Sequence, residues 1–366
     1  MSLQDEIRKK AGEIYREAYQ MSIGELINLY KDEELDIHPE FQRVFRWSDY
    51  QKTKLIESIM LNIPIPQIFV SQSEDGTWDV IDGVQRLSTI FQFVGILKDE
   101  NGKKLEPLVL QATDDLPSFA GMKWQGENDL VFTKEQQLTL KRARLDVVII
   151  KKESDLNTKY ELFQRLNTGG SLLSDQEVRN CLVIMSNKDI YTLIDELTKY
   201  PSFDKCVKIS DRKTDEQYAM EMTVRLLVST TINWNNISKY TELSELLDKE
   251  ILNICSDATY DTEQVKKDFK HMADLLYGSV GEDVFRKYEN EKHSGPFLAT
   301  AFQAIAVGVF ANINEIMEYS DKSSWLKDKV ESIYTEEVYL KNTVPGVRAI
   351  PRFKELSIWS REYFKK

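Results

Sequence analysis

The stretch WDVIDGVQRLSTIFQF, Trp78 to Phe93, changes its hydrophobic period midway. Trp78 to Ile81 reads as a strand, Asp82 and Gly83 end it, and from Gln85 onward Leu87, Ile90, Phe91 and Val94 recur at helical spacing. A strand that turns straight into a helix exposes free backbone N–H groups at the helix start, where the macrodipole also favours negative charge. Gly83 lets the backbone turn without a Cβ in the way. Arg86 falls in the first helical turn, where a cation opposes the dipole. An anion at the same place would account for it, because a guanidinium grips phosphate oxygens as a bidentate fork. Asp82 suits three tasks that do not exclude one another: capping the helix, holding a Mg²⁺ ion that neutralises phosphates, or orienting Arg86. The same residues also fit a purely structural corner, with Asp82 as cap, Gly83 as turn and Arg86 paired to a surface carboxylate.

Working outward, SEDGT reads as a hairpin-like turn, and Pro64 and Pro66 forbid helix and leave Ile68 to Ser71 as a strand. A capping box, Ser48 to Gln51, opens a helix through Leu55, Ile56, Ile59 and Met60, and a second, Ser22 to Glu25, opens a shorter one. Residues 5–20 alternate charged and apolar positions at helical spacing. Residues 98–137 read as loops and short elements, and Val147 to Ile150 as a strand buried on both faces. Beyond Asp155 the period stays helical over 156–166, 174–185, 189–199, 214–232, 240–254, 261–277, 297–318 and 323–338. The tail KNTVPGVRAIPRFKEL, broken by two prolines and a glycine, reads as extended or looped. The expected fold class is therefore α+β, a small mixed sheet with helices in residues 1–180 followed by an all-α domain in 181–366.

Two more segments carry candidate chemistry. PEFQRVFRW, Pro39 to Trp47, sets Gln42, Arg43 and Arg46 among aromatic residues in a loop, a setting that suits a binding site. It equally fits aromatic anchors with arginines facing water. FQRLNTGGSLLSDQEVRN, Phe163 to Asn180, ends a helix at Asn167, stops it with Gly169 and Gly170 and restarts at the Ser174 capping box. Arg165, Asn167 and Thr168 can present donors from that turn, or simply build a helical corner.

Composition narrows the classes. The chain has 366 residues, 42% hydrophobic and 30% charged, with a net charge of -12. Residues 1–180 carry 23 Lys and Arg against 30 Asp and Glu, the remainder 25 against 30. Neither half is a basic nucleic-acid module by bulk charge, so any DNA contact needs a local patch such as Lys141, Arg142, Arg144, Lys151 and Lys152. Cys181, Cys206 and Cys255 lack CxxC spacing and read as buried thiols. The N-terminal segment has no apolar core, and no run of about 18 apolar residues occurs, which leads us to expect a cytoplasmic protein with no membrane partner.

PEFQR, IDGVQRLSTI and FQRLNTGGSLLSDQEVRN, in this order, resemble the GmrSD-type restriction-system family, whose hallmark is a DGQQR motif and which is related to the ParB and sulfiredoxin folds. The resemblance covers about residues 20–185. It implies a ParB/sulfiredoxin-like domain that binds or hydrolyses a nucleoside triphosphate in bacterial anti-phage or restriction-like defence. Position by position the motif falls on Asp82, Gly83, Val84, Gln85 and Arg86, with Val84 where the family has its first Gln. If that Gln positions nucleotide or water, hydrolysis is in question; if it only packs, nothing changes. Many relatives continue into a His-Asn-His nuclease, whereas the histidines here, His38, His271 and His293, are isolated. Cleavage then requires a separately encoded effector or nuclease.

On this reading phosphates rest at Gly83, clamped by Arg86 and by Arg43 or Arg165, with Asn167 and Thr168 as further donors. Asp82 or Glu40 holds Mg²⁺, and Gln42 and Gln85 orient phosphate or water, so that Asp82, Gln85 and Arg86 carry the chemistry. Two alternatives stand beside it: a DNA-binding module without catalysis, and a protein-interaction scaffold whose nucleotide pocket has decayed.

Overall fold

The computed structural model describes residues 2–3, 5, 15–37, 47–73, 75–99, 101–126, 130–151, 174–209 and 217–366, the side chain of Met185 apart. The chain divides into two compact units, Met1–Leu172 and Leu173–Lys366. The first holds a mixed sheet with interspersed helices, and the second is largely helical.

The first unit runs β1 (Arg16–Ser22), α1 (Ile23–Lys31), β2 (Leu35–Asp36), α2 (Asp49–Met60), β3 (Ile68–Gln72), β4 (Trp78–Asp82), α3 (Val84–Val94), α4 (Lys134–Arg142) and β5 (Arg144–Ile150). The strand order is β1-β5-β3-β4-β2. β5 runs antiparallel to β1 and parallel to β3, while β4 is antiparallel to β3 and parallel to β2. Val147 to Ile150 are all buried, as an unbroken apolar run in an inner strand should be. α1 and α4 pack together, as do α2 and α3. Ile56, Leu87, Phe91 and Val70 are fully buried among them. Ser22, Ser48 and Thr133 cap α1, α2 and α4 through the backbone N–H three residues on, and the last two complete capping boxes.

Residues 16–22 correct the helical expectation for 5–20: they form a strand, seven residues in register with β5. The alternation of charged and apolar residues fits either period over so short a span, and the ladder to β5 decides between them. Residues 6–14 lie outside the described residues, as does the helix expected at 156–166.

The second unit comprises α5 (Asp175–Ser186), α6 (Lys188–Thr198), α7 (Pro201–Cys206), α8 (Tyr218–Thr231), α9 (Leu243–Ser256), α10 (Thr262–Ser279), a hairpin of β6 (Lys287–Glu289) and β7 (Lys292–Ser294), α11 (Ala299–Ala311), α12 (Ile313–Ile316), α13 (Lys322–Ser332), α14 (Glu337–Thr343) and α15 (Ala349–Tyr363). Ala301 to Val309 are buried without a break, which makes α11 an inner helix. α15 comes so close at Gly308 that a Cβ there would lie 2.6 Å from the Ser360 carbonyl. Gln303 Nε2 also donates to Ser357 Oγ across this contact (2.6 Å).

The expected looped tail over 341–356 is looped only at 344–348; 341–343 end α14 and 349–356 begin α15. Pro351 sits in its first turn, where an N–H has no intrahelical partner to lose. The helix expected over 297–318 is broken at Asn312, whose side chain donates to the Gly308 and Arg361 carbonyls at 2.9 Å each. The β6–β7 hairpin, which the sequence does not signal, turns on Asn290 and Glu291 at φ 53° and 59°.

All three cysteines are free and buried. Burial pushes the Cys206 and Cys255 thiols up to about 12 and raises Cys181 as well. Among the described residues no helix is long and apolar enough to cross a membrane.

Candidate functional site

The β3–β4 hairpin builds the seam at Asp82 and Gly83. Val70 pairs with Val80 but Phe69 pairs with Asp82, so Ile81 is an extra residue that breaks the register one step before Asp82. A bulge of this kind bends its strand and re-aims the side chains beyond it. Gly83 follows at φ 104°, ψ 8°, a left-handed conformation that suits glycine. A Cβ at Gly83 would strike the Ile68 side chain and lie 3.4 Å from Arg86 Nη2.

α3 starts here without a side-chain cap. Its first intrahelical bond runs from the Leu87 N–H to the Gly83 carbonyl at 2.9 Å, so the N–H groups of Val84, Gln85 and Arg86 precede the ladder. Asp82 does not cap α3. It accepts from Arg86 Nη2 at 2.7 Å with its own side chain 45% exposed, so of its three expected tasks the orienting one is made. Arg86 is itself buried; its Nη1 donates to the Pro66 carbonyl and, at 3.0 Å, to the Gln67 carbonyl. The guanidinium thus ties three pieces of chain: the end of β4, the first turn of α3, and the proline segment entering β3.

Asp82, Gly83 and Arg86 are brought together, and Gln85 lies half-buried in the same turn. Val84 is 4% exposed and packs into the core. The Ser88 and Thr89 hydroxyls, one turn further, are buried without a hydrogen-bond partner among the described residues. Glu40, Gln42, Arg43, Arg165, Asn167 and Thr168 lie outside the described residues. Asp82 is therefore the described member of the Asp82–Glu40 pair suggested for a metal. Among the described residues no group of three or more His, Cys, Asp or Glu is placed to share a metal ion.

The described basic residues of the expected patch lie at the two ends of β5. Lys141 and Arg142 end α4 and Arg144 begins β5, whereas Lys151 follows the far end of β5, about 23 Å along the strand. There Lys151 pairs with Glu17 at 2.9 Å. Lys152 lies outside the described residues.

Arg86's carbonyl partners carry no sequence signal. Pro66 and Gln67 contribute backbone oxygens, which no residue pattern marks.

Gly83→Ala should destabilise the protein by roughly 1–3 kcal/mol, from the left-handed backbone together with the collision at Ile68. Gly76, at φ 92° with nothing within 4 Å of the position a Cβ would take, isolates the backbone part, so Gly76→Ala should cost less. Chemical denaturation of the two variants side by side measures the difference.

No curated protein and no solved structure matches the chain. Residues 23–184, which run from α1 through the Asp82–Arg86 seam into α5, match the family model of the GmrSD restriction endonuclease, N-terminal domain, so this N-terminal region is similar to a restriction-associated family.

Proposed function

We propose that the first unit binds a nucleoside triphosphate with Mg²⁺ at the β4–α3 seam, as the nucleotide-responsive component of a restriction-like or anti-phage system. The observation that carries this reading is the uncapped start of α3 beside the half-exposed Asp82 carboxylate. Backbone N–H groups at a helix start suit phosphate oxygens, and a carboxylate at the rim suits the accompanying cation. The family match supplies the restriction context.

The engagement of Arg86 refines the roles. Its fork is committed to Asp82 and two carbonyls, so it serves as a positioning residue that holds Asp82 and Gly83 in place. The phosphates rest on the N–H groups of residues 84–86. Gln85 faces the same turn and orients phosphate or an attacking water. A Val at position 84, pointing into the core, leaves that chemistry untouched. DNA cleavage is assigned to a separate effector.

Thermal unfolding with and without millimolar nucleoside triphosphate and Mg²⁺ tests the proposal. A ligand at 100 times its Kd stabilises by about 2.7 kcal/mol, a rise of roughly 5–10 °C for a domain of this size. The rise should vanish in Asp82→Asn without Mg²⁺ rescue. Failure of the unsubstituted protein to respond to any of the four ribonucleoside triphosphates would sink the proposal.

A further inference from the structure

We propose that β1 is the seam of a homodimer, pairing antiparallel with the β1 of a second copy about a two-fold axis at Ala18. β1 is the outermost strand of the sheet, and among the described residues nothing pairs with its outer edge. Residues 16–20 are all exposed on both faces, Tyr19 at 48%, so the outer side of this strand leaves surface for a partner.

An edge strand of this kind invites another strand, and proteins normally blunt it by shortness, lysine, proline or a bulge. The opposite edge is blunted in that way, since β2 is two residues long. β1 has seven residues, neither lysine nor proline, and an unshifted register with β5.

The occupant is identified by self-complementarity. Antiparallel pairing about Ala18 sets Arg16 opposite the second copy's Gln20 and Glu17 opposite the second copy's Tyr19. Tyr19 already donates to Glu17 within the strand at 2.6 Å, and the same donor and acceptor meet again across the axis. Ala18 at the axis is small enough for close approach. Residues 16–20 sum to zero charge in a chain of net -12, so this strand lets two acidic copies meet without local repulsion.

Sedimentation velocity of the full chain from about 1 to about 100 µM tests the seam. The protein and its Ala18→Ser variant should pass from monomer to dimer over this range. Ala18→Lys, which places two ammonium groups at the axis, should weaken the dimer at least about tenfold without lowering the melting temperature of the monomer. A monomer at every concentration overturns the proposal, and so does an Ala18→Lys variant that dimerises as well as the parent.

Discussion

Asp248→Ala is expected to remove about 3–5 kcal/mol of stability from the helical unit, a large part of the margin that keeps a domain folded. Arg179 in α5 is fully buried, and its Nε donates to Asp248 Oδ1 in α9 at 2.6 Å, with Asp248 only 2% exposed. The remaining donors reach Ser244 Oγ at 3.2 Å and Gln176 Oε1, and Gln176 in turn donates to Asn180 at 2.7 Å. Truncating Asp248 leaves a guanidinium in the interior with its counter-charge gone, and the desolvation of that charge is no longer offset. The pair is not thereby a large net stabiliser. Arg179→Met combined with Asp248→Leu should cost less than Asp248→Ala alone, because no charge is stranded. Urea unfolding followed by far-ultraviolet circular dichroism, which this helix-rich unit dominates, gives both values. Equal losses for the single and double variants would refute the stranded-charge account.

Arg86→Ala should cost about 3 kcal/mol with no ligand present, since it strips a charged donor from two carbonyls and a carboxylate at once. Arg86→Lys should recover less than half of this. A single ammonium cannot span the Pro66 and Gln67 carbonyls and Asp82 with the fixed geometry of a guanidinium. A side chain held open for a ligand makes a different forecast. If Arg86 serves only to grip a phosphate, its loss leaves the melting temperature of the ligand-free protein unchanged and abolishes the nucleotide response alone. A positioning role predicts both effects, and in Arg86→Lys a partial recovery of stability together with a partial recovery of the response.

These two arginines also show what a sequence can disclose. β3, β4, α3 and β5 are legible because their signals are local: Pro64 and Pro66 forbid helix before Ile68, Asp82 and Gly83 end the run from Trp78, Leu87, Ile90 and Phe91 repeat, and Val147 to Ile150 form an unbroken run. The convergence of Asp82, Gly83 and Arg86 is legible because all three lie within five residues. Arg86's carbonyl partners are not, since they lie 19 and 20 residues upstream and are delivered by the hairpin. Nor is the burial of Arg179, which has the sequence setting of a surface residue on a helix and meets a carboxylate 69 residues away. β1 is hidden for a different reason. Its charged and apolar residues alternate in a way that fits either period, and only the ladder to β5 decides between them.

The placement of the cysteines gives the protein a built-in chemical clock. Cys181, Cys206 and Cys255 all belong to the unit Leu173–Lys366, and Met1–Leu172 contains none. Burial disfavours the reactive thiolate in all three, so a maleimide added at neutral pH meets nothing it can alkylate until the helices part. The labelling rate therefore reports openings around these cysteines, and mass spectrometry of the three sites resolves α5, α7 and α9 as separate witnesses.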